Sequence, residues 1–421
     1  MRPCRAAMLL LCASLLPGVA SAQPGNTPSL PDPPRSTSPV GSREPSSVRA
    51  DAGRVIDLLV RAYGNADLAP LVDYLRGTTE ASPNDVVPLL SLGHGFLNRF
   101  ETSGDRADFS RALGFFEIPA EDDVFPAWGN RWATSITLSH LMKGALRLRR
   151  LVPDDAVLAT RVDVLWERVA RLAADEADRK LADEPPSLPY DSSSTGDSKA
   201  EENAWEAAFL AWSSGLYPDH PRAPAWEEKA RLLASLSIVR PSDHAFFKGL
   251  QVATVHDDLT LENHGYAPNP YYAVGTLMLL RMGSLAYRMT GRPVPAEFGR
   301  NVSALHERYR GYCALEGERW TWSLPSDPVG DPSLFPLPGL DAPERVRSLV
   351  SQRLREGTLW LPGPPAGTLV PEPGAGLTPD SAFARAVQDA KVAWYYLDGT
   401  WLWLDPALEE PRRRSSSCSS R

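Results

Sequence analysis

Cysteine is scarce in this chain, which has four among 421 residues. Cys4 and Cys12 lie in an apolar N-terminal segment, which leaves Cys313 and Cys418 for the rest of the protein. Two thiols cannot supply the thiolate set of a structural zinc site or the framework of a small disulfide-rich domain. A Cys313–Cys418 disulfide is left open, and a chain of this length does not need one for stability.

The chain also lacks a positive net charge and long apolar runs. The chain has 44 Lys and Arg against 52 Asp and Glu, a formal net charge of -8, which argues against nucleic acid as a partner. After residue 22, no stretch reaches the roughly 18 consecutive apolar residues of a membrane-spanning helix. The sequence also contains no phosphate-binding loop and no Ser/His/Asp arrangement. We therefore predict no membrane span, no metal site and no cofactor.

The two ends of the chain differ in composition from its middle. Residues 1–22 begin with arginines, continue with an apolar stretch and end in small residues, which predicts a secretory signal peptide cleaved after Ala22. We therefore expect a secreted or periplasmic protein. Residues 23–48 are rich in Pro and Ser and predict a disordered linker, and 411–421 form an Arg/Ser tail. Between them, 49–410 predict one helical domain, which we expect to be monomeric.

Helical periodicity divides the middle of the chain into two kinds of helix. Inner helices are apolar or small on nearly every face, which is typical of helices buried on all sides. Outer helices carry charge along one face and should lie at the surface. The inner helices are predicted at 131–151, 199–216 and 270–290, and the outer helices at 155–179, 224–237 and 295–311.

Inner and outer helices alternate, and their connections are unequal. Short turns follow the inner helices, whereas long links precede them, as at 181–198 and 238–269. This pattern predicts an all-α fold, an (α/α) toroid of antiparallel hairpins whose long loops gather at one end. Residues 317–373 are rich in Pro, Gly and Trp and predict a partly extended C-terminal insertion over that end. A cleft is expected where the long loops meet.

Polar residues cluster where the inner helices begin. Asn130 and Arg131 precede one helix, Glu202 and Trp205 open the next, and the stretch from Glu262 leads into the third. A first helical turn favours acids and amides for capping reasons alone, so the sequence leaves a purely structural role open for these residues.

The third cluster carries the most chemistry. Glu262 is followed by Asn263-His264-Gly265, and Pro270 then starts a helix whose first turn holds Tyr271 and Tyr272. Backbone N–H groups at such a helix start favour an anion. An amide, an imidazole and phenols around a bound carboxylate suit proton abstraction beside that carboxylate.

The element Asn263-His264-Gly265, with tyrosines soon after, resembles the Asn-Asn-His-Gly element of alginate lyases and heparinase II/III-like enzymes. Glu262 stands where the first Asn of that element would be. The resemblance implies an (α/α) toroid and a polysaccharide lyase that acts on a uronic-acid-containing glycan by β-elimination. Relatives of this kind usually carry β-sandwich domains, for which too few residues remain here after 311.

The resemblance also implies roles for individual residues. Asn263 would neutralise the substrate carboxylate, His264 or Tyr272 would take the C5 proton, and a tyrosine would protonate the departing oxygen. The partner would be an acidic polysaccharide or oligosaccharide. The candidate catalytic residues are Asn263, His264, Tyr271 and Tyr272, and the candidate substrate-binding residues are Asn130, Arg131, Glu202, Trp205 and Glu262.

Two other functions stay open at this stage. A glycoside hydrolase needs two carboxylates about 5 to 10 Å apart, and Glu202 with Asp257, Asp258 or Glu262 could supply them. A non-catalytic scaffold could instead bind glycan or protein through the same cleft, with tryptophans as stacking platforms. The tryptophans concerned are Trp128, Trp132, Trp205 and Trp212.

Overall fold

In a computed structural model, the described part of the chain is mostly helical, which confirms the predicted all-α class. The structure describes residues 73, 75, 76, 83–129, 134–182, 198–262, 270–310, 313–316 and 319–322. The helices are α1 (Pro83–Ser103), α2 (Arg106–Glu117), α3 (Phe125–Trp128), α4 (Thr134–Leu151), α5 (Ala156–Ala182), α6 (Ala200–Leu216), α7 (Ala223–Ser235), α8 (Pro270–Met289) and α9 (Val302–Arg310).

Short elements connect some of these helices. Strands β1 (Ala245–Phe247) and β2 (Leu250–Val252) form one antiparallel hairpin, and β3 (Cys313–Glu316) and β4 (Arg319–Trp322) form another. Hairpin β3–β4 agrees with an extended start to the predicted insertion, the rest of which lies outside the described residues. Short 3₁₀ turns occupy Ile118–Ala120, Pro241–Asp243 and Ala296–Gly299.

Inner and outer helices pack as alternating hairpins. Helices α1, α4, α6 and α8 contact one another in that order, so they form a row of inner helices. Helices α2, α5, α7 and α9 follow them in the chain and each packs against the inner helix that precedes it. Every side chain from 200 to 214 in α6 is buried, as expected for an inner helix. In α5, by contrast, the buried residues recur at helical spacing along one face, from Leu158 and Val162 to Leu165 and Val169.

Close packing between α1 and α4 depends on one glycine in each helix, because a single aromatic ring packs against both glycines. A Cβ built on Gly144 would lie 2.1 Å from the ring of Phe116, and one on Gly93 would lie 2.7 Å from it. These distances are far below van der Waals contact, so a side chain at either position would displace the ring. Phe116 of α2 is itself fully buried, and it therefore fastens an outer helix into the groove between two inner ones.

The predicted outer helix at 295–311 is wrong in its continuity. A 3₁₀ turn at Ala296–Gly299 is separated from α9 by Asn301, whose φ of 54° is left-handed. The Asn301 amide Nδ2 donates to Ile238 O at 3.0 Å and to Asp243 Oδ2 at 2.6 Å. Asn tolerates the left-handed region, and these two hydrogen bonds compensate for the break in the helix.

The inner helices run parallel to one another, so their first turns lie at one end of the row and their last turns lie at the other. The starting end is where α6 and α8 begin: a Cβ on Gly275 of α8 would lie 3.8 Å from Glu201 Oε2 of α6. The finishing end is where α4, α6 and α8 stop, and their last turns line one cavity there. None of the helices within the described ranges is long and apolar enough to cross a membrane.

Candidate functional site

The loop that leads to α8 is fastened to the start of α6. Ser198 N donates to Glu262 O at 3.2 Å, directly before the helix. Lys199 follows with a φ of 60°, which turns the chain into the first residue of α6. This contact brings Glu262, from the far end of a long loop, beside the first turn of α6, so two of the three predicted clusters meet at the starting end.

Glu202 lies in that first turn and is buried, with 5% of the residue exposed. Lys199 Nζ lies 3.0 Å from Glu202 Oε1, so the carboxylate is compensated by a cation from the residue preceding the helix. The positive end of α6 adds to this compensation. A buried carboxylate without such a partner would be costly, so Lys199 reduces the cost of burying Glu202.

Glu262 is also buried, and its carboxylate contacts the imidazole of a neighbouring histidine. His256 Nε2 lies 2.8 Å from Glu262 Oε1, and 29% of the His256 side chain is exposed. A tight turn makes this contact, because His256 N donates to Thr260 O and Leu259 takes a φ of 67°. A carboxylate that orients an imidazole is an arrangement suited to proton transfer.

The pairing of His256 with Glu262 is not predictable from the sequence. The separation of six positions from Glu262 matches no helix or strand period, so no local pattern connects the two side chains. The pair of Asp257 and Asp258 between them was the available signal, because paired acids favour turns. The turn alone does not reveal that an imidazole and a carboxylate meet across it.

Tyr272 lies in the first turn of α8 and is half-buried. Its carbonyl accepts a hydrogen bond from Thr276 Oγ1 at 2.8 Å. The predicted helix start at Pro270 is confirmed, and it places Tyr272 at the same end as Glu202. The other predicted site residues lie outside the residues or side chains that the structure describes; they are Asn130, Arg131, Asn263, His264 and Tyr271.

The two aspartates considered for hydrolysis stabilise loops instead. Asp257 Oδ1 accepts from Ser242 N at 2.9 Å, and hydrogen bonding from Ser242 lowers the pKa of Asp257. Asp258 Oδ1 accepts from Thr260 N at 2.9 Å within the turn. Glu202 and Glu262 are then the carboxylates of the hydrolase hypothesis that occupy the starting end.

The described tryptophans of the predicted set belong to the core. Trp128 and Trp212 are fully buried, and Trp205 is 5% exposed. Trp128 Nε1 donates to Pro119 O at 3.1 Å, which is a structural contact inside the protein. Side chains buried in this way cannot act as stacking platforms at a surface, and Trp132 lies outside the described residues.

Neither a metal centre nor a relative defines this site. Among the described residues, no group of His, Cys, Asp and Glu side chains is arranged to hold a metal ion. Comparison of the chain with protein-family models, with curated proteins and with solved structures found no match in any of the three.

Proposed function

We propose that this protein is a polysaccharide lyase that cleaves a uronic-acid-containing glycan by β-elimination at the starting end of its inner helices. The supporting observation is how the Asn263-His264 element is flanked. Glu262, the residue before it, is hydrogen-bonded to Ser198 at the start of α6. Tyr272, shortly after it, is in the first turn of α8. Both flanks therefore lie where two inner helices begin side by side.

The proposed reaction needs three groups at that place. Asn263 donates hydrogen bonds to the uronate carboxylate, which makes the C5 proton removable. His264 or Tyr272 takes this proton, the C4–O bond breaks, and a C4–C5 double bond forms. Tyr271 or Tyr272 returns a proton to the departing glycosidic oxygen. The positive end of α8 favours both the substrate carboxylate and the ionised form of a phenol in its first turn.

The proposed fold accompanies this function. The row of α1, α4, α6 and α8, each with an outer partner, is the arrangement from which an (α/α) toroid is built. We propose that later hairpins continue the row into a ring, so that the starting ends surround one cleft. A polymer would then lie across the cleft, with an acidic sugar unit over α8.

An ultraviolet assay tests the lyase proposal. The protein would be incubated with alginate, polygalacturonate, hyaluronan, chondroitin sulfate and heparan sulfate, and the absorbance of unsaturated chain ends recorded. We expect one polymer to give such ends and His264→Asn to lower the rate at least about 1,000-fold, the scale of losing a general base together with its orientation. His244→Asn is the matched control, because His244 is exposed and Asn tolerates its φ of 47°.

Glycoside hydrolysis is the second candidate, favoured by the approach of Glu262 to the helix start that carries Glu202. Two buried carboxylates with different partners, Lys199 and His256, could serve as base and acid. A hydrolase would release reducing ends with no ultraviolet absorbance, and it would lose activity in Glu202→Gln. That pair of results would replace the lyase proposal, and silence of the unmodified protein on every polymer would favour a binding scaffold.

A further inference from the structure

A cavity of about 500 Å³ lies at the finishing end of the inner helices, opposite the proposed catalytic site. The last turns of α4, α6 and α8 line it together with Trp166 of α5. Arg150 and Arg288 are among the lining residues, and none of the described lining residues is Asp or Glu. The chain has a net charge of -8, so a cavity with two guanidinium groups and no carboxylate differs in sign of charge from the protein as a whole.

Several arginines of the described helices are neutralised by acids. Arg147 Nη2 lies 2.6 Å from Glu101 Oε2, and Arg292 Nη1 lies 2.8 Å from Glu227 Oε2. Arg288, by contrast, has no hydrogen-bond or ion-pair partner among the described residues. Arg150 donates to the carbonyl of Met289, a neutral acceptor. The charge at this cavity is therefore left without a counter-ion from the described part of the protein.

More positive charge stands close to the same place. The Arg149 guanidinium lies 4.6 Å from the ring centre of Trp166, which is a cation–π distance. Two turns before Arg288 on α8, burial and, to a smaller extent, the charge of Arg288 lower the pKa of Arg281 to about 10. A bound anion would relieve this repulsion, and arginine forks match carboxylate and sulfate oxygens well.

The wall of the cavity is preformed. A Cβ on Gly215 would lie 2.4 Å from Arg292 Nη2, so a side chain at this position would displace that guanidinium from its present place. Arg292 in turn donates to Ala211 O at 2.9 Å, which connects the turn after α8 to α6. Gly291 takes a φ of +74° in that turn. A ligand would meet a surface that is already ordered, which reduces the entropy lost on binding.

Helix dipoles explain these arginines only in part. Arg149, Arg150 and Arg288 all lie in last turns, where cations are favoured. The dipole does not explain why two helices direct guanidiniums to one cavity. It also leaves Tyr217 unexplained: this residue sits between the lining residues Leu216 and Pro218, and its buried hydroxyl has no hydrogen-bond partner among the described residues. Burial raises the pKa of Tyr217, so the phenol keeps its proton and remains a hydrogen-bond donor.

We propose that this cavity binds an oxyanion, a carboxylate or sulfate group, through Arg150 and Arg288, with Trp166 as an aromatic wall. The oxyanion can come from an acidic saccharide or from a free inorganic anion. The site is distinct from the proposed catalytic end and would exist whatever reaction is carried out there.

Calorimetric titration tests this site. The full-length protein would be titrated at constant ionic strength with sodium sulfate, with D-glucuronate and with D-glucose as a neutral sugar. We expect Arg288→Gln to weaken anion binding at least tenfold. Arg111→Gln, which removes an exposed arginine of α2, should bind as the unmodified protein does. Arg150→Gln provides a second variant, and circular dichroism verifies that each variant is folded.

The outcomes separate the two sources of the oxyanion. Sulfate and glucuronate binding alike, both weakened by Arg288→Gln, supports a site for free oxyanions. Glucuronate binding alone supports a site for sugar acids. Binding of neither anion overturns the proposal, as does equal binding by Arg288→Gln or equal binding of glucose. None of these results depends on lyase activity, so failure here leaves the proposed reaction unaffected.

Discussion

The two ends of the inner helices differ in whether their charged side chains have a partner of opposite charge. At the starting end, three buried carboxylates each have a basic side chain as partner: Glu202 has Lys199, Glu206 has Lys180, and Glu262 has the imidazole of His256. At the finishing end, Arg150 and Arg288 line a cavity whose described lining contains no acid. Helix dipoles place acids at helix starts and bases at helix ends, but they do not decide whether each charge also receives a partner.

Because of this difference, we expect the charged residues of the starting end to contribute to stability and those of the finishing end to contribute to ligand binding. A buried charge without a partner destabilises the fold, so the ion pairs of the starting end hold the helices in register. An exposed guanidinium without a partner costs little, because water solvates it, and it can accept a ligand later. Substitutions at the two ends should therefore differ more in their effect on stability than in the charge that they remove.

The largest effect on stability is expected at the pair of Lys180 and Glu206. Lys180 Nζ lies 2.5 Å from Glu206 Oε1, and both side chains are buried. Lys180→Met should lower the free energy of unfolding by about 3–5 kcal/mol, because it leaves a buried carboxylate without its cation. Urea denaturation measures this loss. Adding Glu206→Leu should restore much of the stability, whereas an equal loss in the double variant would mean that packing, not charge, is responsible.

A smaller loss is expected for Lys199→Met. The Lys199 side chain is 30% exposed, so water solvates part of the charge that holds Glu202. We expect the free energy of unfolding to fall by about 1–2 kcal/mol, between the values for buried and surface pairs. Arg288→Met, at the other end, should change it by less than about 0.5 kcal/mol. Equal losses in these two variants, measured by the same denaturation, would remove the distinction between the ends.

Acid should destabilise the middle of the inner helices through His94. Burial, with the charges of Lys143 and Arg147, lowers the pKa of His94 well below its usual value. The unfolded chain protonates this imidazole near pH 6.5, and the folded chain does not, so stability is complete above that pH and falls below it. The slope should approach about 1.4 kcal/mol per pH unit. His94→Gln should flatten the slope between pH 6.5 and 5; an unchanged slope would assign it to other groups.

Periodicity predicted the helices well because their burial is strongly patterned. After its first turn, α6 is apolar or small on nearly every face, and the helix is buried on all faces. The limits of α5 also follow from its single apolar stripe. Periodicity failed at Asn301, because hydrogen bonds to Ile238 and Asp243, residues far away in the chain, compensate there for a broken helix.

For the candidate site, the sequence predicts which helix starts are involved but not the contacts between loop residues there. Acids at the start of an inner helix identified Glu202, and the link to α8 identified Glu262. The sequence could not reveal that Ser198 holds Glu262 in place, or that Glu262 orients His256, because both contacts join residues in irregular loops. The cavity at the finishing end is not predictable from the sequence for a similar reason. Its arginines come from two helices that are far apart in the chain, and only the packing of these helices brings them together.

We propose that catalysis takes place at the starting end, between α6 and α8, with His264 taking part in it. The most direct test is the initial rate of unsaturated-end formation on the responsive polysaccharide, compared for His264→Asn and for the matched control His244→Asn. We expect His264→Asn to lose this activity at least about 1,000-fold while the control keeps it. Full activity in His264→Asn, with both variants folded, would overturn the proposed role of His264 in catalysis.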